Sequence, residues 1–475
     1  MSREKYISVA EFIIVYIAFG VVLLFQYSRV FTENELFLFA ELIMAYVWIS
    51  GLLVYAKIRF DLNIFEPISM ITVIYEGIFI IKPLIDLRNN TMSEHGISVI
   101  GGGAKATLLF VIGYTVFYFS YYTEHRFSLR RETNEGEHHE YKNLLKDNWF
   151  PWIYVGWLIV YALCIYCMFT QGLSLRYIFS FGTDGVRVRD ESNTALLFLS
   201  NFGITLISLW LMILEYSKNI AMKIITTSLC IIYILMRNAR WLMLVFILAP
   251  ITLAYLKKKR QPRLLLVVLV AVVGLFIFAW MQSNRATLAA GGAMQGWGVE
   301  GFSLETLVSP LESDLSTYRT FYNMVERYPA RYDFLYGVTF LYTFVLFIPR
   351  ALWPGKPDNP VRDVIEHSLN KSARASGTAV ANIGEFYANF GAVGIVCFMY
   401  LIGWIAVTIK EHIFLSGENG KKNMNRYMAY SIFFPLLFQW IARGNFSGNI
   451  YMTLFAMLPF LLVKMLKRQK SGVET

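Results

Sequence analysis

Six cations lie where a membrane protein ordinarily keeps few. Arg237, Arg240, Arg350, Lys356, Arg362 and Arg443 all fall in loops that read as facing away from the cytoplasm. This runs against the bias that collects Lys and Arg in cytoplasmic loops. The planar fork of arginine meets phosphate oxygens two at a time. The pattern therefore points to an anionic ligand, a lipid-linked phosphate or pyrophosphate foremost, with arginine snorkelling to phospholipid headgroups as the plain alternative. Two titratable groups share that side. His367 carries an imidazole, the side chain suited to proton transfer near neutral pH. Glu385 is an acid at the membrane surface, where an ionisable group is a candidate for function. Either can serve as general base for an attacking hydroxyl, with Asp363 and Glu366 behind them. The structural alternatives are a solvated helix-face histidine and a Glu385 paired with one of the arginines.

The elements that must position these groups are short. Hairpin 220–256 has spans of about 17 and 16 residues, near the lower limit for crossing about 30 Å of hydrocarbon. Its tip, Arg237-Asn238-Ala239-Arg240, should sit low, at the floor of an outward-facing cavity. Hairpin 427–463 repeats the arrangement with the tip Ala442-Arg443-Gly444-Asn445. Between them, Ile348 to Pro357 (IPRALWPGKP) bends where it leaves the membrane, Arg350 and Lys356 flanking an interfacial Trp353; a rigid turn with an aromatic-belt residue is the competing account. Gly384 to Gly391 (GEFYANFG) enters the next span.

Composition sets the class. Apolar residues make up 56% and charged residues 16% of 475, against the usual 45–50% and about 25%, and the apolar blocks run to roughly 20 residues, a bilayer thickness. The sequence predicts an all-α integral membrane protein with about 12 transmembrane helices: 7–27, 36–56, 67–84, 104–122, 149–170, 195–214, 220–236, 241–256, 264–281, 387–409, 427–441 and 450–463. The first reads as a retained anchor, since no small-residue cleavage site follows it. Basic loops after residues 122, 256 and 409, and a basic tail, place both termini in the cytoplasm. The net charge of +10 is thereby explained without a nucleic-acid partner. Three parts follow: helices 1–9 over 1–281, a large outer segment over 282–386, and helices 10–12 with a cytoplasmic tail over 387–475.

Within the outer segment, Leu311, Leu315, Tyr318, Tyr322 and Val325 recur at helical spacing. Asn359-Pro360 signals a helix start, with Val361, Val364, Ile365 and Leu369 on one face. The run Val338 to Ile348 is too short to cross and reads as re-entrant or interfacial; Ser372 to Thr378 reads as a flexible stretch. No metal site is expected: the outer side lacks a DxD or a histidine cluster, and Glu312 with Asp314 suits a helix N-terminus. No cofactor is implied. GGGAK at 101–105 lacks the spacing of a P-loop, and Cys164-x-x-Cys167 sits inside a span, where it reads as one helix face.

The PRALWPGKP stretch, followed by GEFYANFGAVG entering a span, resembles the oligosaccharide repeat-unit polymerases, the O-antigen polymerase (Wzy-type) family. The RNAR tip and the large outer loop agree, over roughly 230–450. The resemblance implies a GT-C-like multi-span glycosyltransferase of the bacterial inner membrane, with its active site on the periplasmic face. Such an enzyme moves a growing glycan from undecaprenyl pyrophosphate onto a lipid-linked repeat unit. It implies membrane lipids, a Wzz-type chain-length regulator and a flippase as partners. An O-antigen ligase shares the donor and architecture. A lipid-linked glycan flippase would need cations lining a path open to both faces, and the spans offer chiefly Glu41, Glu76 and Lys82.

Overall fold

The computed structural model describes residues 32–94, 96–123, 150–170, 202–237, 240–258, 315–346, 348, 352–369, 379–415 and 424–471, with scattered positions at 13–21 and 273–274. The described helices are α1 (Glu33–Phe60), α2 (Pro67–Glu76), α3 (Lys82–Asn89), α4 (Ile100–Thr123), α5 (Phe150–Thr170), α6 (Phe202–Tyr216), α7 (Ile220–Arg237), α8 (Arg240–Lys258), α9 (Thr317–Arg327), α10 (Val338–Leu346), α11 (Pro360–Leu369), α12 (Asn382–Lys410), α13 (Met424–Ala442) and α14 (Phe446–Ser471). A wide π turn, Gly77–Ile81, joins α2 to α3, and a second, Glu411–Leu415, extends α12. A two-stranded hairpin, Ser93–Glu94 with Ile97–Ser98, precedes α4.

Among the described residues seven helical segments are long and apolar enough to cross a membrane: Glu33–Phe60, Pro67–Asn89, Ile100–Thr123, Pro151–Phe169, Trp241–Lys258, Asn382–Phe414 and Phe446–Val463. Phe202–Tyr216 and Ile220–Leu235 are apolar but shorter. The helix at the expected span 427–441 is present as α13 but is not among the seven. The expected spans 7–27 and 264–281 fall almost wholly outside the described residues.

Local sequence sets the helix ends. Thr32 and Glu35 cap α1 reciprocally: the Glu35 N–H donates to Thr32 Oγ1 (3.4 Å) and the Thr32 N–H to Glu35 Oε2 (2.9 Å), satisfying two donors that a helix start otherwise strands. Pro67 opens α2, where its missing N–H costs nothing. Asn359 Oδ1 accepts from the Val361 N–H (3.1 Å), confirming the predicted start of α11. At nine residues, about 14 Å long, α10 is indeed too short to cross.

Ion pairs mark the two ends of the bundle. At one end α12 finishes and α2 begins, joined by Lys410 and Glu66 (2.7 Å). There too Lys257 at the end of α8 pairs with Glu215 near the end of α6 (2.6 Å), and Tyr216 donates to Asn425 at the start of α13 (3.5 Å). Since α8 finishes where α13 starts, the two run antiparallel, and the start of α8 at Arg240 lies toward the end of α13 at Ala442. The opposite end gathers the finish of α3, the starts of α4 and α12, the α13–α14 tip, and α9 to α11. Helix α9 lies directly on the start of α4. A Cβ on Gly102 would come 2.0 Å from the Tyr322 carbonyl, so the glycine run at 101–103 is what lets the two backbones approach.

Helix α9 is held from a second direction by buried charge. Asp86, at the end of α3, accepts from Lys82 Nζ (2.5 Å), Arg319 Nη2 (2.6 Å) and the Tyr318 hydroxyl. Arg319 Nη1 reaches on to Glu94 in the hairpin (2.8 Å). A buried carboxylate needs such partners to repay its lost hydration.

Candidate functional site

The α13–α14 tip is the best-defined part of the site. Gly444 and Asn445 both adopt left-handed backbone, each with φ of 56°, a region that glycine and asparagine enter most readily. Gly444 is pressed against the chain leading into α12, where a Cβ would meet the Val380 carbonyl at 2.2 Å. Asn445 Oδ1 accepts from the Gly448 N–H (3.4 Å), capping α14, and from Asn359 Nδ2 (3.2 Å), the cap residue of α11. Asn449 Nδ2 donates to the carbonyls of Gln439 (3.2 Å) and Gly444. Arg443, half-buried, is therefore carried on a turn fixed from both α11 and α12.

Glu385, on α12 itself, adds a further hold on the turn. Its Oε2 accepts the N–H of Phe446, the first residue of α14 (2.9 Å), and the residue is 2% exposed. The backbone of α12 departs from helical geometry at Phe390 and Gly391, so Glu385 belongs to a short helical piece ahead of the break. The carbonyls stranded at that break are taken up by the residues just ahead of α10: the Leu335 N–H donates to the Ala388 carbonyl (2.9 Å) and the Tyr336 N–H to that of Asn389 (3.0 Å). Asn389 Nδ2 adds a bond to Thr339 Oγ1 (2.8 Å), and Ser447 Oγ donates to the Thr339 carbonyl (2.7 Å). Sequence reasoning places Glu385 at the membrane surface on the way into a span. The structure encloses it where α10, α12 and α14 meet.

Lys356, a pyrophosphate-binding candidate by sequence, is drawn into the fold. It is 4% exposed, and its ammonium donates to the carbonyls of Leu346 (3.0 Å) and Ile348 (2.9 Å), where α10 has run out of helical donors. Its neighbours Leu352 and Trp353 are exposed, as are Leu341 and Phe344 on α10, an apolar face suited to the interfacial placement read from the sequence.

His367 lies near the far end of α11, eight residues beyond the Asn359 cap and so about 12 Å along the helix axis. Three residues following or ending α9 immobilise it. Arg327 Nη1 donates to the His367 carbonyl (2.7 Å), the Tyr328 hydroxyl contacts Nδ1 (3.1 Å), and the imidazole stacks flat on Tyr332 with centroids 4.0 Å apart and planes 9° apart. Burial pushes the Tyr328 phenol up to about 12, so it stays neutral at working pH. With Nδ1 engaged by Tyr328, proton transfer by this ring would fall to Nε2. The ring is half-buried, unlike Glu385.

Of the remaining predicted cations, Arg362 is half-buried on α11. Arg237 is half-buried at the end of α7, in electrostatic reach of Cys164 and Cys167 on α5. Arg240 opens α8. Arg350 and the stretch 372–378 lie outside the described residues, as do Glu312 and Asp314. The structure thus joins the turn that follows Arg443 to Glu385 through Phe446 and to the α11 cap through Asn445, and sets His367 on the same short helix as that cap. Among the described residues no three His, Cys, Asp or Glu side chains gather as a metal site. Sequence reasoning missed the Asp86–Arg319 lock and the role of Tyr328. The only local signals were the four-residue spacing of Lys82 and Asp86 and the place of Tyr318 on a predicted helix face.

A family profile described as O-antigen polysaccharide polymerase Wzy matches residues 9–470, nearly the whole chain. No curated protein and no solved structure matches it.

Proposed function

The chain belongs to the O-antigen polysaccharide polymerase Wzy family, and from that premise we propose that it transfers a growing glycan from undecaprenyl pyrophosphate onto a lipid-linked repeat unit, at the end of the bundle built by α9 to α11. Membership makes it a multi-pass bacterial membrane protein of polysaccharide biosynthesis acting on lipid-linked oligosaccharide. The finer assignment rests chiefly on one observation: the arginine-bearing α13–α14 tip is hydrogen-bonded to the cap of α11, the helix that carries His367.

In the proposed reaction the acceptor hydroxyl oxygen attacks the anomeric carbon of the donor glycan. The bond from that carbon to pyrophosphate breaks, and undecaprenyl pyrophosphate leaves with the electron pair. Arg443, Arg240, Arg237, Arg350 and Arg362 neutralise charge building on the leaving pyrophosphate, where preorganised donors act most strongly. His367 takes the hydroxyl proton at Nε2. Lys356 serves by holding the end of α10. The site faces the periplasm, with both termini cytoplasmic, in the inner membrane. A flippase supplies the lipid-linked unit, and a Wzz-type regulator sets chain length.

The test is the polysaccharide ladder of a strain lacking this chain. A polymerase defect leaves lipid A core capped with single repeat units, and that is the expected result. Complete loss of capping would make the chain a ligase, and an unchanged ladder would remove the assignment.

A further inference from the structure

We infer that Glu385 is a positioning residue: it holds the Arg443 tip in place for the pyrophosphate and takes no proton itself. The inference rests on the proposal that Arg443 binds the pyrophosphate. Three observations carry it.

The first is enclosure. A general base must come within about 2.6–3.2 Å of the proton it removes, directly or through one water. Glu385 is 2% exposed and walled in by Thr339, Asn389 and Phe446. An acceptor sugar cannot reach it without opening the packing of α10 on α14, which Thr343 and Ser447 (3.1 Å) and Tyr451 with the Thr343 carbonyl (2.9 Å) hold shut.

The second is what the carboxylate touches. Oε2 accepts the first N–H of α14, so a carboxyl oxygen sits against the positive end of that helix, a favourable placement. The contact secures the residue immediately after a turn whose two left-handed residues, Gly444 and Asn445, would otherwise move with the tip. Because the carboxylate already occupies this N–H, phosphate binding at the tip falls to the Arg443 guanidinium.

The third is the rigidity of the mount. Glu385 stands on the short helical piece before the Phe390–Gly391 break, and that piece is pinned by Leu335, Tyr336 and Gly337, whose N–H donates to Asn389 Oδ1 (3.0 Å). A residue held this firmly transmits position.

The experiment uses the purified full-length protein in detergent, with undecaprenyl pyrophosphate as the binding probe. It reads three quantities: Kd for that lipid, kcat with lipid-linked repeat units, and hydrogen exchange over 443–448. Glu385→Ala should speed exchange across the tip and raise Kd at least tenfold. Glu385→Gln retains an oxygen that can accept the Phe446 N–H and should restore slow exchange, with Kd and kcat within about fivefold of the parent, the worth of one charge–dipole contact. Should Glu385→Ala not accumulate, Glu385→Asp takes its place: it keeps the acid but is a methylene too short to reach Phe446, and should loosen the tip as alanine would.

A Glu385→Gln enzyme with normal Kd and a kcat lower by a hundredfold or more would make Glu385 a base and overturn the inference. Unchanged exchange and Kd in Glu385→Ala would also overturn it. If Arg443→Lys leaves Kd unchanged while Glu385→Ala still frees the tip, the pyrophosphate assignment fails and the positioning role stands.

Discussion

Arg319 and Asp86, 233 residues apart in the chain, meet with Nη2 2.6 Å from Oδ2, and this contact ties α9 to α3. Lys82 and Tyr318 converge on the same carboxylate. Because α9 and the loop after it hold His367, the lock sets where the imidazole stands relative to the bundle. Removing one partner of a buried pair strands the others without hydration, at about 3–5 kcal/mol. Asp86→Ala, which takes the buried carboxylate away from both Lys82 and Arg319, should therefore lower the thermal transition in detergent markedly. Arg319→Ala leaves Asp86 with Lys82, Tyr318 and Thr91 and should cost less. The double variant should fall short of the sum of the singles, as coupled neighbours do. Strict additivity would mean that the pair contributes nothing to holding α9.

Orientation is testable at two described positions on opposite ends of the bundle. Asp358, exposed just before α11, should face the periplasm, and Asp61, exposed after α1, the cytoplasm. With the four native cysteines replaced, an impermeant thiol reagent should modify Asp358→Cys in intact spheroplasts and Asp61→Cys only after lysis. The reverse pattern would put the cationic end on the cytoplasmic side and leave a periplasmic donor out of reach.

The arginine tips should depend on fork geometry as well as charge. One ammonium cannot replace a bidentate grip on phosphate, so Arg240→Lys should lose most polymerisation at normal protein level, with Arg237→Lys and Arg443→Lys alike or milder. Normal polymer length in both Arg240→Lys and Arg443→Lys strains would return these residues to the role of lipid anchors.

How much of this was legible in the sequence depends on the range of the interactions. Helices α5, α7 and α8 announce themselves by apolar runs, and α11 by Asn359-Pro360, because those signals are local. The tip Arg443-Gly444-Asn445 was legible as a turn bearing a cation for the same reason. Its clamp was not. Glu385 stands in a stretch that reads as the entry to a span, and only the break at Phe390–Gly391, with caps arriving from Leu335 and Tyr336, shows that it belongs to a separate piece buried against α14. Lys356 carries an ordinary outward-loop signature, and its turn back onto α10 is a tertiary contact with no periodicity. Lys82 looks like a stray charge in a span until Arg319 and Asp86 are seen beside it.

Proton removal and the balance of charge on the leaving group can be tested on the same purified enzyme. If protein cations neutralise the pyrophosphate, the purified enzyme should polymerise lipid-linked units in excess EDTA. Activity abolished by EDTA and restored by Mg²⁺ or Mn²⁺ would assign that neutralisation to a metal. Proton removal should then rest on His367. For Nε2 to accept a proton, the ring must carry its own hydrogen on Nδ1, directed at the Tyr328 oxygen 3.1 Å away. His367→Ala should cut kcat by about 10²–10⁴, the usual worth of a general base. Tyr328→Phe removes the hydroxyl that favours this tautomer while keeping the ring, so it should lower kcat by less than His367→Ala and leave the Kd for undecaprenyl pyrophosphate unchanged. His367→Gln separates two roles for the imidazole, since glutamine offers a donor but no base. A glutamine variant as poor as alanine supports proton removal, whereas recovery of most activity would make the ring a hydrogen-bond donor to substrate and send the search for the base elsewhere on α11, to Asp363 and Glu366.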